Sequence, residues 1–291
     1  MAAAPENATL LIQPGLYLEP PLTIEKSLTL KGAAADAFWR PLIRTIEPGP
    51  LLTVRPADRP VSVTLEGLEL QALMIKTGFP TDSLSVGLRV EGVQDGPADQ
   101  VKVVLRESRL YAADGGAMIS GKASLSIQKT SIRVIGVALL AREGSQLLVE
   151  DSTILGDSWL GVVILLNVDA LFRHNTIGYS ALRVAGTRDS LFGVLGGGGR
   201  YTFVNNEISH LGMGLSFAGK TTLEFSENTV TKNKLYGIAL NLPACFGSGV
   251  DSEQEFRGTI TGQNNIITDN AKGDLCPGLK DYPWPPGFVK P

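Results

Sequence analysis

Tyr201-Thr-Phe-Val-Asn-Asn206-Glu-Ile208 and, 22 residues on, Leu223-Glu-Phe-Ser-Glu-Asn228-Thr-Val230 share one frame. A short run alternates apolar and polar side chains, a polar residue follows, and an aliphatic residue comes two places later. Alternation of this kind is the signature of a half-buried strand. The frame recurs backwards as Asn175–Ile177, Ser152–Ile154, Thr130–Ile132 and Ser108–Leu110, and forwards as Asn265–Ile267. Most spacings are 22 or 23 residues. The longer gaps each hold an insertion, one near 186–200 with the run Gly196–Gly199 and one near 242–256.

A second signature follows each frame, a small residue leading aliphatic alternation. It reads Gly87-Leu-Arg-Val90, Gly116-Ala-Met-Ile119, Gly136-Val-Ala-Leu139, Gly161-Val-Val-Ile164, Ala181-Leu-Arg-Val184, Gly214-Leu-Ser-Phe217 and Gly237-Ile-Ala-Leu240. Each repeat therefore holds about three short strands. Helical repeats are excluded because no 3.6-residue pattern persists between the Gly, Asn and Ser breaks. Leucine-rich repeats are excluded because no Leu-x-x-Leu-x-Leu frame recurs. The expected fold is all-β, a single-stranded right-handed parallel β-helix. Its polar positions form a Ser/Thr/Asn ladder, with Asn chosen for its tolerance of left-handed backbone and its amide.

With its opening Leu11-Ile-Gln-Pro-Gly-Leu-Tyr17 and Leu22-Thr-Ile-Glu-Lys-Ser-Leu-Thr-Leu-Lys-Gly32, the chain resembles the pectin-lyase-like superfamily. The later coils are similar to its NosD-like and carbohydrate-binding-and-hydrolysis repeat members. The resemblance spans roughly residues 8–273. It implies a β-helix whose activity, where there is one, sits on the face of the glycine-led strand. One domain is expected over 1–291. Within it, 1–30 supply an N-terminal cap and first strands, 31–273 the coils, and 274–291 a proline-rich strap carrying Trp284 and Phe288.

Composition narrows the function. Lys plus Arg is 26 and Asp plus Glu is 29, a net charge of −3, which excludes a basic nucleic-acid footprint. Purely apolar stretches such as Val162–Leu166 are too short to span a bilayer. The start, Met-Ala-Ala-Ala-Pro-Glu-Asn, lacks the basic and apolar regions of a signal peptide. Secretion or a periplasmic location is expected from the fold. The two cysteines, Cys245 and Cys276, either bridge the tail to the body or stand as two buried thiols. A bridge is the expectation.

The outward positions of the glycine-led strands are expected to be Arg89, Met118, Ala138, Val163, Arg183, Ser216 and Ala239, then Glu91, Ser120, Leu140, Leu165, Ala185, Ala218 and Asn241. Glu91 is the one acid among them. Calcium needs six to eight oxygens, and glycosidases need paired carboxylates, so neither a metal, a cofactor nor a catalytic residue is assigned. The Gly196–Gly199 run lacks the Lys-Ser/Thr of a phosphate loop and reads as a flexible insertion. Trp159 and Tyr179 hold equivalent places in consecutive coils, with Arg183 on the following strand. These three are the candidate glycan contacts. The leading expectation is a non-catalytic module binding a polysaccharide or cell-surface glycan. The alternatives are a polysaccharide lyase or hydrolase, and a scaffold whose apolar column Leu140, Val163 and Leu165 meets a protein partner.

Overall fold

The computed structural model describes residues 4–33, 39–73, 84–96, 100–157, 161–179, 192–246, 254–276, 279 and 282–289. The chain winds as a parallel solenoid. Each coil contributes three strands, termed a, b and c. In one coil these are Gly115–Ser120, Ala123–Gln128 and Ser131–Val134. Every a strand pairs in parallel with the a strand of the next coil, and likewise for b and c. Among the described residues, the a and b strands form one sheet of 17 strands and the c strands another of 10.

The repeat frame becomes a file of stacked side chains inside the solenoid. In the b strands, Leu105, Ile127, Val149, Phe172, Phe203 and Phe225 lie rung upon rung and are fully buried. Burial of each such side chain stabilises by about 1.5–3 kcal/mol. The file turns aromatic toward the C-terminus. Phe172 and Phe203 stack at 4.8 Å with an interplanar angle of 8°, the spacing that strand stacking imposes.

The polar ladder runs beside this file. The Ser152 N–H donates to Asn175 Oδ1 at 2.9 Å, the Asn175 N–H to Asn206 Oδ1 at 3.0 Å, and the Asn206 N–H to Asn228 Oδ1 at 2.9 Å. The Asn228 N–H continues to Asn265 Oδ1 at 3.0 Å. Each Asn amide also donates to a carbonyl of the preceding coil, as Asn206 Nδ2 does to Phe172 O at 3.0 Å. One expectation is corrected. The ladder residues themselves avoid the left-handed region, and the residue before each adopts it. Glu107, Lys129, Asp151, His174, Asn205, Glu227 and Asn264 have φ between 47° and 60°. That residue reverses the chain, so that the ladder N–H points along the axis.

The glycine run is also corrected. Gly196–Gly199 lies within the strand Phe192–Val204 and is not a flexible insertion. A Cβ on Gly196 would stand 2.6 Å from the Phe217 ring and 2.9 Å from the Tyr201 ring. The glycines give room for Tyr201, fully buried, whose hydroxyl donates to Leu165 O at 3.0 Å and Gly197 O at 3.2 Å. Burial pushes its phenol well above the ordinary tyrosine value.

The two ends differ. Residues 8–24 form a full coil of strands, Ala8–Ile12, Leu16–Glu19 and Leu22–Ile24. At the other end, Cys245 in the helical turn Pro243–Phe246 is disulfide-bonded to Cys276, with Cα atoms 5.5 Å apart. Phe288 then covers Phe225, ring to ring at 6.1 Å, and Trp284 stacks on Phe288 at 4.6 Å.

Candidate functional site

On the outer face of the a strands, pairing sets Arg89 beside Met118, Met118 beside Leu140, and Leu140 beside Ile164. A parallel row begins with Glu91 beside Ser120. Arg142 follows Ala141, which itself pairs with Ile119. Arg89, Glu91, Met118, Ser120, Leu140 and Arg142, with Leu84 and Ile119, line a cleft of about 480 Å³, within the range of ligand pockets. Met118 and Leu140 give it an apolar floor. Arg89, Glu91, Ser120 and Arg142 supply a polar rim. Arg89 Nη1 lies 3.8 Å from Glu91 Oε1, and Arg142 Nε lies 3.4 Å from Glu143 Oε1. Both pairs are loose and partly solvated, so each guanidinium keeps donors for a ligand.

A larger hollow of about 550 Å³ crosses the b strands. Its floor is Val104, Leu148 and Leu171. Of its charged residues Lys102, Asp169 and Arg200, the last two are partners on adjacent rungs. This hollow and the a-strand cleft each carry two cations and one carboxylate; the cleft differs in that both of its cations are guanidinium groups, whose planar fork suits bidentate contact.

The expected outward column needs correction. Val163 and Leu165 are fully buried, because they pair with Leu139 and Ala141 on the inner side. Ala138, the second residue of the strand Val137–Arg142, is buried too. Only Leu140 of the proposed partner face reaches the surface, where it floors the cleft. The cause is register. Gly116 aligns with Ala138 and Val162, whereas the repeat glycines Gly136 and Gly161 fall two places and one place earlier. Arg142 and Ile164 are therefore outward residues that alignment on glycine misses.

Of the three expected glycan contacts, Trp159 and Arg183 lie outside the described residues. Tyr179 ends the c strand Thr176–Tyr179, is half-buried, and packs against the core. Its hydroxyl donates to Asp157 Oδ2 at 3.3 Å, and Asp157 is itself buried. A second ladder also went unforeseen. The Leu211 N–H donates to Asn233 Oδ1 at 3.1 Å, and Asn233 Nδ2 to Asn270 Oδ1 at 2.8 Å. The signal was present as Asn228/Asn233 and Asn265/Asn270, each pair five residues apart. Among the described residues, no group of three or more His, Cys, Asp and Glu side chains is placed to hold a metal ion.

The fold and the cleft define a right-handed β-solenoid with a charged groove on one sheet face. The sequence model of the right-handed beta helix region matches residues 115–278, over half the chain, and the protein belongs to that family. No curated protein matches the sequence. Among solved structures, the full-length tailspike protein 2 of Escherichia coli O157:H7 bacteriophage CAB120 is similar over 95% of this chain, with a TM-score of 0.61 and 13% identity. The chain spans 43% of that tailspike's length. The periplasmic alginate epimerase AlgG is similar over 95% of this chain and 74% of its own, with a TM-score of 0.51 and 12% identity. At such identities the likeness is one of fold.

Proposed function

We propose that the protein is a non-catalytic, secreted or periplasmic module that binds an anionic polysaccharide in the a-strand cleft. The observation that carries this reading is the pairing of two guanidinium groups, Arg89 and Arg142, around an apolar floor of Met118 and Leu140. A uronate presents an apolar ring face and a carboxylate. The first suits the floor, and the second suits a bidentate guanidinium contact. The fold is shared with a tailspike and with an enzyme named for alginate, which favours a polysaccharide over a small metabolite. The disulfide favours an oxidising compartment. Glu91 is the one carboxylate lining the cleft, whereas hydrolysis of a glycosidic bond uses two, and this favours binding over cleavage.

The test is calorimetric titration with oligouronates and with neutral oligosaccharides of equal length. Wild type should prefer the oligouronate. Arg89→Ala and Arg142→Ala should each weaken it by about 10- to 100-fold, as loss of a charge-assisted hydrogen bond implies. Trp159→Ala, Tyr179→Phe and Arg183→Ala extend the test to the residues that the repeat pattern singled out. Equal affinity for neutral and anionic chains would refute the cleft reading. Release of unsaturated or reducing ends would replace binding by catalysis.

A further inference from the structure

The a-strand cleft carries its cations on alternate coils. Three successive coils floor it, and each sends two outward side chains to it. The first gives Arg89 and Glu91, the second Met118 and Ser120, the third Leu140 and Arg142. Coils stack about 4.8 Å apart, so the two arginines are rooted about 10 Å apart along the axis. The coil between them is uncharged at this face.

The coils on either side continue the alternation. Next to Arg89, away from the cleft centre, stands Thr53. Arg55, two residues further on, is engaged by Glu25 at 2.8 Å. Beyond Leu140 and Arg142 stand Ile164 and Leu166, the latter 40% exposed. Among the described residues, neither flanking coil lends the cleft a cation.

Glu91 sharpens the pattern. Its carboxylate lines the cleft, whereas Glu143, the neighbour of Arg142, does not. Glu91 pairs with Ser120 on the next coil, so its charge borders the uncharged coil as well as Arg89. A ligand anion resting on Met118 and Ser120 would lose water over the thioether, meet the Glu91 carboxylate and find no cation on that coil. An uncharged sugar in the same place keeps the apolar contact and can donate its hydroxyls to Glu91 and Ser120.

We propose that the cleft selects a polysaccharide in which charged and uncharged sugars alternate, and that Glu91 discriminates against an unbroken run of uronates. This inference rests on the reading of the cleft as an anionic-polysaccharide site. A sugar unit advances its chain by about one coil spacing, so a two-sugar repeat sets successive carboxylates against Arg89 and Arg142.

The experiment is calorimetry on the full chain with four ligands. They are a hexasaccharide alternating glucuronate with N-acetylglucosamine, a uronate hexamer of equal length, a uronate trimer of equal charge, and a neutral hexasaccharide. Wild type should bind the alternating ligand about 5-fold or more tightly than either uronate. Glu91→Gln should tighten the uronate hexamer by about 3-fold or more and change the alternating ligand by less than about 2-fold. Circular dichroism melts establish that the variant folds. A uronate hexamer bound as tightly as the alternating ligand, with both preferred to the neutral chain, overturns the alternation and leaves the anionic reading standing. Equal gains for both anions in Glu91→Gln overturn the role given to Glu91. No preference for either anion over the neutral chain overturns the inference and the reading beneath it together.

Discussion

Asn206→Leu tests the ladder at its most connected rung. Asn206 Oδ1 accepts from the Asn175 N–H and from Asn175 Nδ2, both at 3.0 Å. Its Nδ2 donates to Phe172 O, Val204 O and Asn228 Oδ1 at 3.0, 3.2 and 2.9 Å. Leucine has a similar volume and fills the site, so packing changes little. What remains is a buried Asn175 N–H without its acceptor and a Phe172 carbonyl short of a donor. At about 1–3 kcal/mol per orphaned group, the expected loss is about 2–5 kcal/mol once local relaxation is allowed. Asn206→Ser should cost roughly half as much, since Ser152 already fills the equivalent place in its own coil by accepting the Thr130 N–H at 3.1 Å. The assay is urea unfolding followed by circular dichroism, comparing midpoints at unchanged slope. A leucine variant within about 0.5 kcal/mol of wild type would refute the claim that these bonds hold the coils in register, since that is the size of an ordinary surface substitution.

Reducing the Cys245–Cys276 bridge should lower stability by roughly 3–4 kcal/mol, the chain-entropy value for a 31-residue separation. Thermal melts with and without reductant read the shift, and an unchanged melting temperature would count against it. Hydrogen bonds from Lys31 and then Arg106 hold the Glu66 carboxyl below its ordinary value of 4.5. Its contribution is therefore full above that value and is lost as pH falls through the depressed folded one. Glu66→Gln should flatten the acid limb of a stability-against-pH curve, and an unaltered limb would contradict the assignment. Gly196→Ala drives a methyl against the Phe217 and Tyr201 rings and should destabilise by about 1–3 kcal/mol. A neutral variant by urea titration would show that the rings can move aside.

The repeat and the ladder were legible because a buried corner tolerates few side chains. Ser, Thr or Asn must stand at each turn of the coil, and the period follows directly. The a-strand register was harder. Glycine serves at several places around that bend, so Gly136 and Gly161 gave no fixed origin, and Val163 and Leu165 were read to the wrong face. The cleft was half visible. Arg89, Glu91, Met118 and Ser120 could be assigned to one surface from alternation alone. Adding Arg142 needed the actual pairing of Ile119 with Ala141. The Tyr179 hydroxyl bond to Asp157 depends on a contact between two coils at a loop, for which the sequence has no periodic signal.

The left-handed corner before each ladder residue has a consequence for how such a protein can change. From Gly67-Leu68 to Glu227-Asn228 the link between the b strand and the c strand is two residues in every coil, while toward the two ends it lengthens, to nine residues between Leu28–Gly32 and Leu42–Thr45 and to four between Thr259–Thr261 and Ile266–Thr268. Within that stretch extra chain enters at the other corners, between Glu69–Ala72 and Val86–Glu91, between Val86–Glu91 and Val101–Arg106, and between Thr176–Tyr179 and Phe192–Val204. In the middle of the stack the ladder corner thus behaves as a fixed splice and the other two corners as ports, and only the end coils, with few rungs beyond them, lengthen at the splice. Foreign loops grafted at the ports leave every rung aligned, while a residue inserted at a mid-stack splice breaks the run of ladder hydrogen bonds at that rung. Duplication or deletion of a whole coil crosses the splice in phase, and so offers lineages of this fold a way to alter length without losing the core.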